Sequence, residues 1–211
     1  MLSQWFHARI RHLTDVLVDR TLGRTSLSAS ELTIVCPILT FGACWLLASG
    51  AFFWGGWVVL FASAFDMLDG ALARSKNQVS RFGSFLDSTL DRYSESLIFL
   101  GLLLYYQQAA PGSNEVLLIY VAISGSLLIS YSRARAESLH FDCRVGLLER
   151  PERILLIVFG LVTGWIHLIL WALAILTHVT AIQRCVYVWQ QSRSETMSSR
   201  SIRLAKRGEQ Q

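Results

Sequence analysis

Four aspartates set in apolar sequence constrain this chain more than any other feature. The stretch 66–91 reads D-M-L-D-G-A-L-A-R, eight further residues, then G-S-F-L-D-S-T-L-D. Asp66, Asp69, Asp87 and Asp91 lie in runs long enough to cross a bilayer, where a central Asp costs roughly 2.5–3.5 kcal/mol. Residues three or four apart share a helix face, so Asp66 and Asp69 point together on one helix, and Asp87 and Asp91 on the next. If those helices pack side by side, four like charges meet in a small volume and repel unless cations lie between them.

The 211 residues are 53% hydrophobic with mean hydropathy +0.42, which predicts an all-α polytopic membrane protein of one domain. Arg9, Arg11, Asp15, Asp19 and Arg20 interrupt any signal-peptide core. Cys36, Cys44, Cys143 and Cys185 show no metal-ligand or disulfide spacing. The net charge of +4 is distributed as membrane orientation requires, which argues against a nucleic-acid partner.

Apolar residues at Leu2, Phe6, Ile10, Leu13 and Leu17, with charges off that stripe, predict an interfacial amphipathic helix over 1–24. Six spans follow within 32–189. The first, 32–49, is about 18 residues or roughly 27 Å, just enough for the hydrocarbon core. The second is 52–74, the third 83–106 and the fourth 116–132. The fifth enters through Pro151, suited to a first helical turn, and continues over 154–162. The sixth covers 166–189. Polar residues 190–211 read as a disordered tail.

All nineteen Lys and Arg fall at one set of helix ends: the two tails, the 74–81 turn and the 133–153 stretch with adjoining residues. The opposite connections carry only Glu115. By the positive-inside rule the basic side is cytoplasmic, which places both termini and the aspartates toward the cytoplasm in a cell membrane.

Carboxylates on two helices suit hard divalent cations such as Mg²⁺ or Mn²⁺. Gly70, Ala73 and Gly83 allow close approach, and Arg74 can reach phosphate oxygens bidentately. Together they describe a metal–diphosphate site, for which two ions clamping a phosphoryl group is the matching mechanism. A structural alternative is buried ion pairing with Arg74, Arg81 or Arg92. The full pattern D-x2-D-G-x2-A-R-x8-G-x3-D-x3-D arises by chance about 10⁻¹⁰ times per starting position, which disfavours that alternative.

The pattern resembles the signature of the CDP-alcohol phosphatidyltransferase family. The resemblance implies a six-helix membrane fold, commonly homodimeric, that transfers a phosphatidyl group from a CDP-linked lipid such as CDP-diacylglycerol to an alcohol and releases CMP. It implies Asp66, Asp69, Asp87 and Asp91 as metal ligands, Asp91 also as the base, and Asp69, Gly70, Ala73, Arg74 and Gly83 around the CDP moiety. The family's T-P-N/D-x-x-T entry to the first span is here Ser28-Ala29-Ser30-Glu31-Leu32-Thr33, so only Thr33 matches.

For the acceptor, arginines at the basic helix ends offer phosphate-matching forks, or simply satisfy the positive-inside rule. The segments 129–137, 149–153 and 182–184 look like those of bacterial phosphatidylinositol-phosphate synthases. That likeness implies inositol 1-phosphate held by Arg133, Arg135, Arg153 and Arg184. Two departures are Arg133 in place of Lys and a bulkier 140–145 segment. Glycerol 3-phosphate is the alternative acceptor. A divalent-cation transporter would need polar residues across 52–62 and 97–104, where there are none, and a non-enzymatic scaffold would not need Gly70, Ala73 and Gly83 beside the carboxylates.

Overall fold

A computed structural model describes residues 29–75, 80–143 and 145–208, with side chains given for most of them. The amphipathic helix expected over 1–24 lies outside the described residues. Six helices and no strand occur among those described: α1 (Ala29–Ala48), α2 (Phe52–Ser75), α3 (Arg81–Ala109), α4 (Asn114–Ser138), α5 (Arg150–Thr163) and α6 (Ile166–Gly208). They correspond one to one with the six apolar runs.

Several boundaries are set by local chemistry. The Ser80 hydroxyl caps α3 by accepting from the Gly83 N–H at 2.9 Å, as N-cap serines do. Pro151 sits in the first turn of α5. Gly164, with φ 80°, ends α5 in the left-handed conformation that glycine adopts without strain. One expectation needs correction. Residues 190–211 read as a disordered tail, but α6 continues through Gly208. No proline or glycine interrupts the chain between Gly164 and Gly208, and extending an established helix needs no new nucleus.

α1 packs against both α2 and α3, α2 against α5, α3 against α4, and both α4 and α5 against α6. Among the described residues the aspartate helices α2 and α3 each lean chiefly on α1 rather than on one another. Small residues make this possible. A Cβ on Gly101 of α3 would come 2.6 Å from the Cys44 carbonyl oxygen of α1, and one on Gly55 of α2 would come 2.7 Å from Leu47. The core joins Leu47, Val59, Phe99, Ile119, Ile157 and Leu170 from all six helices.

The outside is apolar too. Ile38, Phe41 and Trp45 on α1, Tyr120 on α4, and Leu168 and Ile182 on α6 are all exposed, far more than the isolated patches of a water-soluble surface. α4 and the 166–194 part of α6 are long and apolar enough to cross a membrane. Within the helices Thr40, Thr177 and Thr180 turn their hydroxyls back onto carbonyls four residues earlier, at 2.7–2.8 Å, which pairs these three hydroxyls without help from solvent. α5 has 14 residues, a rise of about 21 Å, short of the roughly 30 Å hydrocarbon core.

Among the described glycines the least room is at Gly125 of α4, where a Cβ would stand 2.1 Å from Thr177 Oγ1 of α6. Gly125→Val is expected to separate these helices at a cost of about 1–3 kcal/mol or more, seen as a lowered thermal midpoint in detergent. Gly42→Ala, with nothing within 4 Å, should be neutral or stabilising by about 0.5–1 kcal/mol.

Candidate active site

Asp66 near the middle of α2 and Asp87 and Asp91 on α3 bring carboxylate oxygens within 4.8 Å of one another. The i, i+4 spacing of Asp87 and Asp91 does this on one helix face. Asp69, Gly70, Ala73 and Arg74 belong to α2, but their side chains lie outside the described residues. Gly83 is exposed in the first turn of α3, with its N–H given to Ser80.

The fourth member of the cluster is a cation. Arg150, at the start of α5, places Nη1 2.6 Å from Asp66 Oδ2 and 2.7 Å from Asp91 Oδ1. The first contact is also a hydrogen bond; the second is an ion pair without hydrogen-bond alignment, so Asp91 Oδ1 is buried without a hydrogen-bond donor. Arg92 Nη1 lies 3.7 Å from Asp91 Oδ2 and donates to the Ser88 carbonyl. A buried carboxylate oxygen lacking a donor, among acidic groups from two helices, is a donor set that fits a divalent cation.

One turn after Arg150, Arg153 is 2% exposed and grips Glu95 with two prongs, Nε to Oε1 at 2.7 Å and Nη2 to Oε2 at 2.9 Å. This parallel geometry is the strongest form of the arginine–carboxylate pair. It ties α5 to α3 one turn beyond Asp91. Glu95 extends the Asp87–Asp91 stripe by another four residues, so that one helix face carries three acids in register.

The four arginines expected at the acceptor site divide into two pairs. Arg133 and Arg135 stand in the last turns of α4 near the surface, and Arg133 Nε pairs with Glu137 at 2.9 Å. Arg153 and Arg184 are buried. Arg184 donates to the Val145 carbonyl at 2.8 Å and the Ile129 carbonyl at 2.5 Å, fastening the 139–149 loop to α4 and α6. Gln191 adds a bond to the Asp142 carbonyl. Cys143, a buried residue of this loop, has its thiol pushed up by burial despite nearby Arg184 and Arg133, so it is a packing residue rather than a nucleophile. Sequence reasoning placed Arg150 in the basic cluster without giving it a partner, and gave Glu95 no role. The signals available were the four-residue step from Asp91 to Glu95 and the three-residue step from Arg150 to Arg153.

Residues 27–188 match the family model described as CDP-alcohol phosphatidyltransferase. The chain is 38% identical over 196 residues, 90% of its length and 95% of the relative's, to the archaetidylinositol phosphate synthase of Methanothermobacter thermautotrophicus. It is 34% identical to the phosphatidylinositol phosphate synthase of Mycobacterium tuberculosis, over 82% of this chain and 84% of that one. The crystal structure of that mycobacterial enzyme with CDP-DAG bound superposes with a TM-score of 0.76 at 32% identity, covering 84% of this chain and 94% of that one. Its complex with manganese and citrate gives 0.74, covering 83% and 88%.

Removing one partner of the Glu95–Arg153 pair leaves a buried charge alone, which costs about 3–5 kcal/mol. Glu95→Gln should therefore lower the thermal midpoint sharply in detergent, well beyond the effect of Glu137→Gln at the exposed Arg133 pair.

Proposed function

The chain belongs to the CDP-alcohol phosphatidyltransferase family, and on that footing we propose that it transfers the phosphatidyl group of CDP-diacylglycerol to inositol 1-phosphate, giving phosphatidylinositol phosphate and CMP. The observation that carries the reading is the convergence of Asp66, Asp87 and Asp91 from two helices that the family pattern pairs. Asp66, Asp69, Asp87 and Asp91 hold Mg²⁺ or Mn²⁺, as two ions. The bound cations supply the positive charge that offsets the diphosphate and the leaving CMP. Gly70, Ala73, Arg74 and Gly83 line the CDP moiety.

The acceptor hydroxyl attacks the lipid-side phosphorus in line. An O–P bond forms, the bond to the CMP oxygen breaks, and Asp91 takes the hydroxyl proton. Arg133 and Arg135 meet the acceptor's phosphate at the mouth of the site. Arg153 and Arg184 set the α5 start and the 139–149 loop that border the same pocket. The protein spans the membrane six times with its basic ends and active site toward the cytoplasm, a reading supported by the charge asymmetry, and it works as a homodimer.

Glycerol 3-phosphate is the competing acceptor, because Arg133 and Arg135 recognise a phosphate rather than a polyol ring. Purified protein in detergent with CDP-diacylglycerol and Mn²⁺ should release CMP with inositol 1-phosphate and not with glycerol 3-phosphate; the reverse result rejects the inositol assignment. Asp91→Asn should reduce turnover by about 10²-fold or more, and full turnover in that variant would remove Asp91 as the base.

A further inference from the structure

Arg150 meets the aspartates through a single nitrogen. Nη1 is 2.6 Å from Asp66 Oδ2 and 2.7 Å from Asp91 Oδ1, while Nε is buried with no hydrogen-bond partner. A guanidinium that settles permanently on carboxylates normally uses its fork, as Arg153 does on Glu95. Here the nitrogen acts as a point charge between oxygens supplied by two different helices, and the buried Nε N–H is left without an acceptor, an arrangement that costs stability. Oxygens converging on one point from two elements are what a small divalent cation requires, at roughly 2.0–2.1 Å for Mg²⁺. A nitrogen and such a cation cannot share that point.

We propose that Arg150 Nη1 and a divalent cation are alternative occupants of the point between Asp66 and Asp91, and that Arg150, displaced when the cation is bound, turns its fork to the substrate diphosphate. This rests on the transfer function above and adds a residue to it. The displacement needs only side-chain rotation, because the buried Arg153–Glu95 pair holds the first turn of α5 against α3. Once turned away, Arg150 can engage phosphate oxygens through both Nε and Nη, which satisfies the donor that the carboxylates leave unpaired. Two consequences follow. The acidic cluster always has a counter-charge, which limits the repulsion among its carboxylates. Metal and nucleotide binding become coupled, since the same guanidinium hinders the first and helps the second.

The test is Mn²⁺ binding to the full chain in detergent, with free Mn²⁺ read by electron paramagnetic resonance. Arg150→Gln should bind Mn²⁺ roughly five- to tenfold more tightly than the wild type, because a competing positive charge is gone. Arg150→Lys, which keeps the charge, should stay within about twofold. Unchanged or weaker binding in Arg150→Gln overturns the proposal. Should that variant not yield a monodisperse protein, the wild type decides: phenylglyoxal should modify Arg150, followed by peptide mass spectrometry, faster with Mn²⁺ than without. Slower modification with Mn²⁺ overturns the proposal. Neither readout involves turnover. Wild-type protein that binds Mn²⁺ but releases no CMP with any phosphorylated alcohol would reject the transfer function and leave the Arg150 exchange standing.

Discussion

A guanidinium sealed against a carboxylate near the centre of the bundle governs how the site is built. Arg153 and Glu95 are almost completely buried, and moving such a pair from water costs several kcal/mol per ion unless the geometry is good and the remaining donors are met. Both conditions hold: two parallel bonds join the pair, and Arg153 Nη1 also reaches the Leu148 carbonyl at 3.4 Å. The pair fixes the rotation and depth of α5 relative to α3. Arg150 is then carried to the carboxylates without any loop having to place it.

Around that clamp the protein keeps its polar chemistry on a few helix faces and its apolar residues everywhere else, inside and out. Helices α2 and α3 each lean on α1, so the interval between them near Asp66 and Asp91 is spanned by side chains rather than closed by packing. Two substrates with negatively charged headgroups need such an interval. The arginines at its edge differ in role by burial: Arg133 and Arg135 remain at the surface, whereas Arg184 is spent on carbonyls of the 139–149 loop.

The six helices were legible in the sequence because each apolar run is bounded by Gly, Pro or a cluster of charge, and hydrophobic patterning is the strongest local signal a chain carries. The aspartate motif was legible because helix periodicity alone puts Asp87 and Asp91 on one face. Partner choice was not. Nothing local distinguishes Arg150, which reaches α2 and α3, from Arg153 three residues on, which is buried on Glu95; the difference lies in which helix each meets across sequence separations of 84 and 58 residues. The extent of α6 was misjudged for a related reason. Composition reports whether a segment can bury itself, but a helix already anchored by its apolar half can run on through polar sequence.

The short α5 has an effect on the lipid around it. At about 21 Å it is the shortest of the helices described, and in the six-span arrangement proposed above the surrounding acyl chains would thin or tilt to meet it. Its first turn is also where Arg150 stands. In that arrangement the height of the acidic cluster above the bilayer midplane would follow local membrane thickness, and the lipid composition of the membrane would become a mechanical input to a site that consumes lipid.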